Sequence, residues 1–311
     1  MGPSMTPDYE HLPRHEVLGL PHSWGLLDTN LGSLSLIPED ALLKATKGVT
    51  EGAAIPLNLS LGDIDPPMFG RARWQHSVHA ADRNTYEDVL DSYNPQASSQ
   101  WDGFRHIRAR QFGFYGGVNI DDGDTETLSI EHWARRGIAG RGVLLDVARW
   151  RAQQGRPLDP FSGETVEASE LQEVARDQGI VVQIGDILCV RLGWVTAYRG
   201  LSSEQKGSAD ISSRFSGLRS DDTMAQYLWN SRVSVIATDN PAVESAPGNL
   251  QDGSLHRRMI PMLGVVFAEL LDLDRLALHC AVHDRYDFLF VSVPLAVPGG
   301  VSSPANAMAI V

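Results

Sequence analysis

Four short apolar runs constrain this chain most: Val143-Leu144-Leu145-Asp146-Val147, Ile187-Leu188-Cys189-Val190-Arg191-Leu192, Val233-Ser234-Val235-Ile236-Ala237 and Phe288-Leu289-Phe290-Val291. They are rich in β-branched and aromatic residues and are bounded by Gly, Asp or Arg, which is how buried strands read. A strand buried on both faces needs other elements covering its sheet. Helix signals lie between the runs. Pro38-Glu39-Asp40 opens a helix over Ala41, Leu42 and Ala45 that Gly48 ends, because proline and acids suit the first turn. Ser129 caps a helix through Trp133 and Ala134, and Thr165 to Gly179 forms another, with Leu171, Val174 and Ala175 on one face. Met224 to Trp229 is a short helix, and Ser254 caps the turn carrying His256. Strands and helices alternate without a βαβ rhythm, so the expected class is mixed α/β rather than a doubly wound sheet.

The remaining segments are read in the same way. Ile55 to Leu61 alternates apolar with polar and reads as a strand that Pro56 places at its start or at an edge. Val181-Val182-Gln183 is expected to be a strand and Tyr198 to Asp222 a polar surface loop or lid. A small-residue tail follows Pro294-Leu295. Residues 1–22 form an irregular N-terminal arm whose His11, His15 and His22 are expected to be solvated, with Gly2-Pro3-Ser4 outside the fold, and residues 23–311 form a single domain.

Charge and cysteine use exclude several functions. A net charge of −13 and a pI near 5.1 argue against nucleic acid or an anionic membrane as partner. No stretch approaches the ~20 apolar residues of a membrane span, and the N-terminus lacks the apolar region of a signal peptide. Cys189 and Cys280 lie in apolar runs and are expected to be buried thiols. The expected setting is the cytoplasm and the expected partner a small-molecule substrate.

Chemistry concentrates between Gln96 and His106, where Asp102 and His106 stand four apart with Trp101, Phe104 and Arg105 among them. An acid and an imidazole at that separation can converge on one ion or one proton, or form a surface ion pair. No Gly-x-Ser-x-Gly elbow, phosphate loop or His-Glu-x-x-His is present. Gly137, Gly140 and Gly142 close a helix and precede a strand, the reverse of a dinucleotide loop. His76 and His79 are read as exposed or packed on aromatic rings. His279 and His283 are four apart and would share a helix face, but the strand that follows makes them structural. Glu269 lies inside Val265-Val266-Phe267-Ala268-Glu269-Leu270-Leu271, and a buried carboxylate there needs a metal, His or Arg. Pro261 and Gly264 break the element between His256 and Glu269, so both can face one cavity.

These residues resemble the cyclase family related to bacterial kynurenine formamidase and isatin hydrolase, metal-dependent hydrolases of amides and lactams. The family signature, His-x-Gly-Thr-His-x-Asp-x-Pro-x-His, lays its Asp and final His on Asp102 and His106. Its first two histidines fall on Gln96 and Gln100, its Gly-Thr on Ser98-Ser99 and its proline on Phe104. A branch of the family reads Gln-Trp-Asp at this place. Gly185-Asp186, Thr238-Asp239, Pro294-Leu295 and Ser303-Pro304-Ala305-Asn306 follow in family order. The resemblance implies a swivelling β/β/α cyclase-like catalytic domain with a barrel-like mixed sheet, assembled as a homodimer or larger.

It further implies that Asp102, His256 and Glu269, assisted by Gln100, hold one divalent ion (Zn, Mn or Mg). His106 would move the proton, Asp102 sharing the catalytic role, and Gln96, Gln100, Trp101 and Arg105 would contact substrate. Carboxamides replace two imidazoles, and a neutral oxygen is a harder, weaker ligand, so a tight zinc site of the His type is not expected at that end. Three functions follow: hydrolysis of an amide, lactam or ester by metal-activated water; metal-free acid/base cyclisation, dehydration or isomerisation; or binding without catalysis.

Overall fold

The structure is a computed structural model and describes residues 6–311; residues 1–5, including Gly2-Pro3-Ser4, lie outside the described residues. The strands in chain order are β1 (Ala54–Pro56), β2 (Gln75–Ala80), β3 (Tyr86–Asp91), β4 (Gln100–Asp102), β5 (Ile138–Asp146), β6 (Thr165–Val166), β7 (Ile187–Arg191), β8 (Gly217–Leu218), β9 (Val235–Thr238), β10 (Val266–Glu269), β11 (Asp287–Ser292), β12 (Ser302–Pro304) and β13 (Ala307–Ile310). The helices are α1 (Ala41–Thr46), α2 (Glu131–Arg136), α3 (Val147–Gln153), α4 (Ala168–Asp177), α5 (Trp194–Arg199), α6 (Ser203–Lys206), α7 (Ala209–Ser213), α8 (Asp222–Asn230), α9 (Leu255–Met259) and α10 (Asp274–His283).

Nine strands form one mixed sheet in the order β1-β13-β11-β5-β7-β9-β10-β4-β12, curled into a half-barrel. Its centre, β5-β7-β9-β10, is parallel, and the flanking pairs are antiparallel. The four apolar runs supply β5, β7, β9 and β11. Leu144, Leu188, Ile236 and Phe290 are fully buried, which is what a sheet covered on both faces demands. The mixed α/β, barrel-like expectation holds.

Local chemistry explains most of the helices. In α4, Leu171, Val174 and Ala175 face the core as expected. The Glu170 carboxylate, rather than Ser169, accepts the Glu167 N–H at its start (3.1 Å). Gly179 follows in the positive-φ conformation that ends helices. Asp221 caps α8 by accepting the Met224 N–H at 2.9 Å. The strand expected over Ile55 to Leu61 is shorter: β1 lies at the sheet edge against β13, as a proline allows, but it ends at Pro56 and residues 57–61 are not strand.

Other expectations fail as well. Val181-Val182-Gln183 is not a strand: Val181 is exposed, and the segment hangs between the α4 terminus and the Gly185-Asp186 turn. Tyr198 to Asp222 is not a loop, because Ser202 and its neighbours nucleate α6 and α7, and Ile211 and Phe215 bury against Trp194 and Tyr198. The tail after Pro294 returns as β12 and β13, with Ala307 and Ala309 of β13 buried. In the arm, His11 is exposed, whereas His15 packs between Trp24 and Phe112 with ring centroids 5.5 and 4.5 Å away. Strands β2 and β3 make a hairpin exposed at every position. There His76 stacks on Trp74 and reaches Asp88 at 2.8 Å, as the sequence suggested. Cys189 and Cys280 are buried free thiols.

Candidate active site

Strand β4 lies between β10 and β12, and alternation along a strand sends its side chains to opposite faces. Gln100 and Asp102 share one face. The antiparallel register sets Gln100 opposite Glu269 and Asp102 opposite Phe267. The Gln100 Nε2 accordingly donates to Glu269 Oε2, joining residues 169 positions apart. Trp101 points to the other face, where its indole N–H donates to Ala305 O (2.8 Å) and Ser292 Oγ (3.0 Å) beside Phe290. Trp101 is therefore a core residue and lines no pocket on the Asp102 side, which corrects its assignment to substrate. Arg105 is corrected likewise. Its guanidinium is taken up by the carbonyls of Thr127 (2.7 Å), Asp124 (2.9 Å) and Gly299 (3.2 Å), so it ties loops together and leaves no donor directed at the site.

His256 enters from α9. Ser254 caps that helix, as its sequence predicts. Gly264, at positive φ, turns the chain so closely against the Tyr115 ring that a Cβ would not fit. Strand β10 follows and carries Glu269. The His256 Nε2 lies 2.9 Å from Glu269 Oε1 and 3.6 Å from Asp102 Oδ2, and its ring meets Phe267 edge-on at 5.1 Å. On the other side Glu244 accepts the His256 backbone N–H at 2.7 Å, sits 3.2 Å from Nδ1 and takes the Ser254 hydroxyl at 3.0 Å. A carboxylate on Nδ1 orients the ring and aims Nε2 at Glu269 and Asp102.

Gln96 completes the arrangement. Its Nε2 donates to Asp102 Oδ1 at 2.8 Å and lies 3.1 Å from His106 Nδ1. The same Nε2 lies 3.5 Å from His106 Nε2, so the carboxamide abuts the imidazole edge between its two nitrogens. Burial lowers the His106 pKa against the opposing pull of Asp102, which keeps the ring neutral. Burial also works against the charge on Asp102, but His256, His106 and Gln96 outweigh it and hold the carboxyl below its ordinary range. For His256, burial would lower the pKa, yet Glu244, Asp102 and Glu269 raise it well above the usual imidazole value. Burial and the neighbouring Asp102 push Glu269 upward.

Arg71 and Glu244 escaped the sequence reading. Arg71 donates to the Gln96 carbonyl, sits over the Phe69 ring at 5.1 Å and lies in the field of Glu269 and Asp102 while burial lowers its pKa. Neither residue belongs to a motif, and no spacing signal points to them.

The cluster fits a metal ion. Asp102 Oδ2 and Gln100 Oε1 are buried and have no hydrogen-bond partner, and an orphaned buried acceptor needs an explanation such as an ion. One ligand atom each from Asp102, His256 and Glu269 lies within 4.8 Å of the others. Two carboxylate oxygens and one imidazole nitrogen suit a hard to borderline divalent ion.

The Cyclase family model matches residues 57–245, more than half of the chain, and so includes the Gln96–His106 stretch but stops short of His256 and Glu269. A crystal structure described as a novel cyclase superposes with a TM-score of 0.83 at 25% identity, covering 93% of this chain and 99% of that one. An isatin hydrolase bound to the product analogue thioisatinate gives 0.61 at 14% identity over 86% and 95% of the two chains. Isatin hydrolase A from Labrenzia aggregata, bound to benzyl benzoate, gives 0.59 at 15% over 87% and 98%. The two hydrolases share the fold. No curated protein matches the chain.

Proposed function

The chain belongs to the Cyclase family and is an enzyme of the hydrolase or cyclase type, and from that premise we propose that it hydrolyses an amide, lactam or ester bond in a small aromatic or cyclic substrate with the help of one divalent ion. The observation that carries this reading is the pair of buried, unpartnered oxygens, Asp102 Oδ2 and Gln100 Oε1, beside His256 and Glu269. Asp102, His256, Glu269 and Gln100 would hold the ion, with Zn, Mn and Mg all compatible with the donor set. Such an ion lowers the pKa of a water and polarises a carbonyl.

The chain's own residues do the rest. Glu244 holds the His256 ring so that Nε2 stays directed at Glu269 and Asp102. His106, held neutral beside Gln96 and Asp102, would take a proton released by the attacking water and pass it to the leaving nitrogen or oxygen. Phe267 and the sheet floor exclude bulk water from one side.

The Gln96-bridged Asp102–His106 pair also favours a second reading, metal-free acid/base cyclisation or dehydration, in which Asp102 and Gln96 orient His106. Elemental analysis of protein purified without chelator, paired with turnover of aryl formamides, lactams and esters before and after chelation, separates the two. Turnover that survives complete removal of metal sinks the hydrolase reading. The resemblance also carries the expectation of a homodimer, which sedimentation measures.

A further inference from the structure

His279 and His283, set aside in the sequence as structural, lie one turn apart on α10. Their rings stack with centroids 4.3 Å apart and 21° between planes. The tertiary fold brings Glu51, from the segment between α1 and β1, to the same face. Its Oε1 stands 3.7 Å from His279 Nε2 and 3.2 Å from His283 Nδ1. The segment is anchored, because the backbone N–H groups of Glu51 and Gly52 both donate to the carbonyl of Val311, at 3.3 and 2.8 Å.

We propose that Glu51, His279 and His283 form a surface site for a borderline transition-metal ion of the zinc class, built from two imidazole nitrogens and one carboxylate oxygen. The distances support an ion better than direct pairing. A charge-assisted N–H···O bond closes to ~2.7–2.9 Å, and this oxygen is held farther than that from both nitrogens. Ligands ~2.0–2.2 Å from a tetrahedral centre are separated by roughly 3.3–3.5 Å, between the two distances seen. Two stacked imidazoles repel each other if both are protonated, whereas both can bind an ion as neutral ligands. Glu51 and His283 are exposed and His279 is half-buried, so an ion can enter from solvent with water in its remaining position.

The ion would act as a clip. Strand β1 is an edge of the large sheet, and only β13 holds it. Joining Glu51 to α10 would tie the lead-in to that edge onto the helix beside it, where Ala53, Ala54, Ile55, Leu278 and Val282 line a shared cleft. None of the residues around Asp102 lies on these elements, so the site stands independently of the hydrolase reading.

Equilibrium dialysis of chelator-stripped full-length protein against ZnCl2, with bound zinc counted, tests it. The expected result is one zinc fewer per chain in His279→Ala/His283→Ala than in wild type, and zinc affinity at this site at least tenfold weaker in Glu51→Gln. In His256→Ala the surface equivalent is retained. If the Asp102 cluster binds no zinc, wild type and His256→Ala each hold one equivalent and the double variant none, which supports the clip and leaves the Asp102 cluster to Mn or Mg. Equal stoichiometry in wild type and the double variant, unchanged affinity in Glu51→Gln, or no bound zinc in wild type overturns the proposal.

Discussion

Asp102→Asn keeps the shape of a buried side chain and removes its charge, and the geometry sets the size of the consequences. Asparagine Oδ1 can still accept from Gln96 Nε2, so the 2.8 Å bond survives. In the ion-free protein the burial cost of the Asp102 charge is relieved and its attraction for Arg71 is lost, and two further contributions can be sized from distances. The attraction of Asp102 for the protonated His256, at 3.6 Å, is about 4.6 kcal/mol at an effective dielectric constant of ~20. The repulsion of Asp102 by Glu269, whose ligand oxygens lie within 4.8 Å, is at least about 3.5 kcal/mol on the same scale. With Glu269 ionised these two nearly cancel, so the ion-free variant is expected to fold with a Tm close to that of wild type. The ion-loaded state differs. At a hundred times its Kd, an ion stabilises the wild-type fold by about 2.7 kcal/mol. For 311 residues, with an unfolding entropy of ~2.1 cal/mol/K per residue, that raises Tm by about 4 °C. Asp102→Asn should lose this rise. The assay is thermal unfolding with and without MnCl2 or ZnCl2, in a His279→Ala/His283→Ala background so that the surface cluster contributes nothing. A full metal-induced rise in the Asn variant refutes Asp102 as a ligand, and a metal-free Tm lower by many degrees refutes the cancellation.

His106→Ala should lower kcat by roughly 10²–10⁴ with Tm little changed, and a variant as active as wild type removes the proton-transfer role. Asp239, whose two oxygens accept the Leu192 and Gly193 N–H groups at 2.7 and 2.8 Å at the start of α5, should be costly to truncate. Asp239→Ala leaves both donors unpaired and should lose about 2–5 kcal/mol in denaturant unfolding, so a loss below about 1 kcal/mol argues against the clamp. Glu170 accepts from Arg151 at 3.0 and 2.7 Å and from Arg156 at 3.0 Å; burial opposes its charge, but these partners win and its pKa is lowered. Its stabilising contribution is thus present above the unfolded value of 4.5 and lost as pH falls through the lower folded value. Glu170→Gln should cost roughly 3 kcal/mol at pH 7, with the gap to wild type narrowing below pH 4.5; a gap independent of pH refutes the pairing.

Local patterns settled much of this protein. Runs such as Val143–Leu145 and Phe288–Val291 read as buried strands because burial on both faces leaves no polar positions, and Ser254 and Gly179 marked helix ends because caps act within one turn. Glu269 stood out because an acid in an apolar run needs a partner, Asp102 and His106 because an acid and an imidazole stand four apart, and His256 through the family resemblance. Tertiary structure alone decided which of them meet. Gln100 reaches Glu269 only through the β4–β10 register, and Glu244 and Arg71 arrive from segments whose own neighbours carry no signal. Trp101 was misplaced because β4 is too short to announce itself as a strand; once it is one, alternation turns the indole away from Asp102. Glu51 and the two α10 histidines show the same limit from the other side. A helix can set two imidazoles in line from sequence, but the third ligand comes more than two hundred residues away, and only folding brings it there.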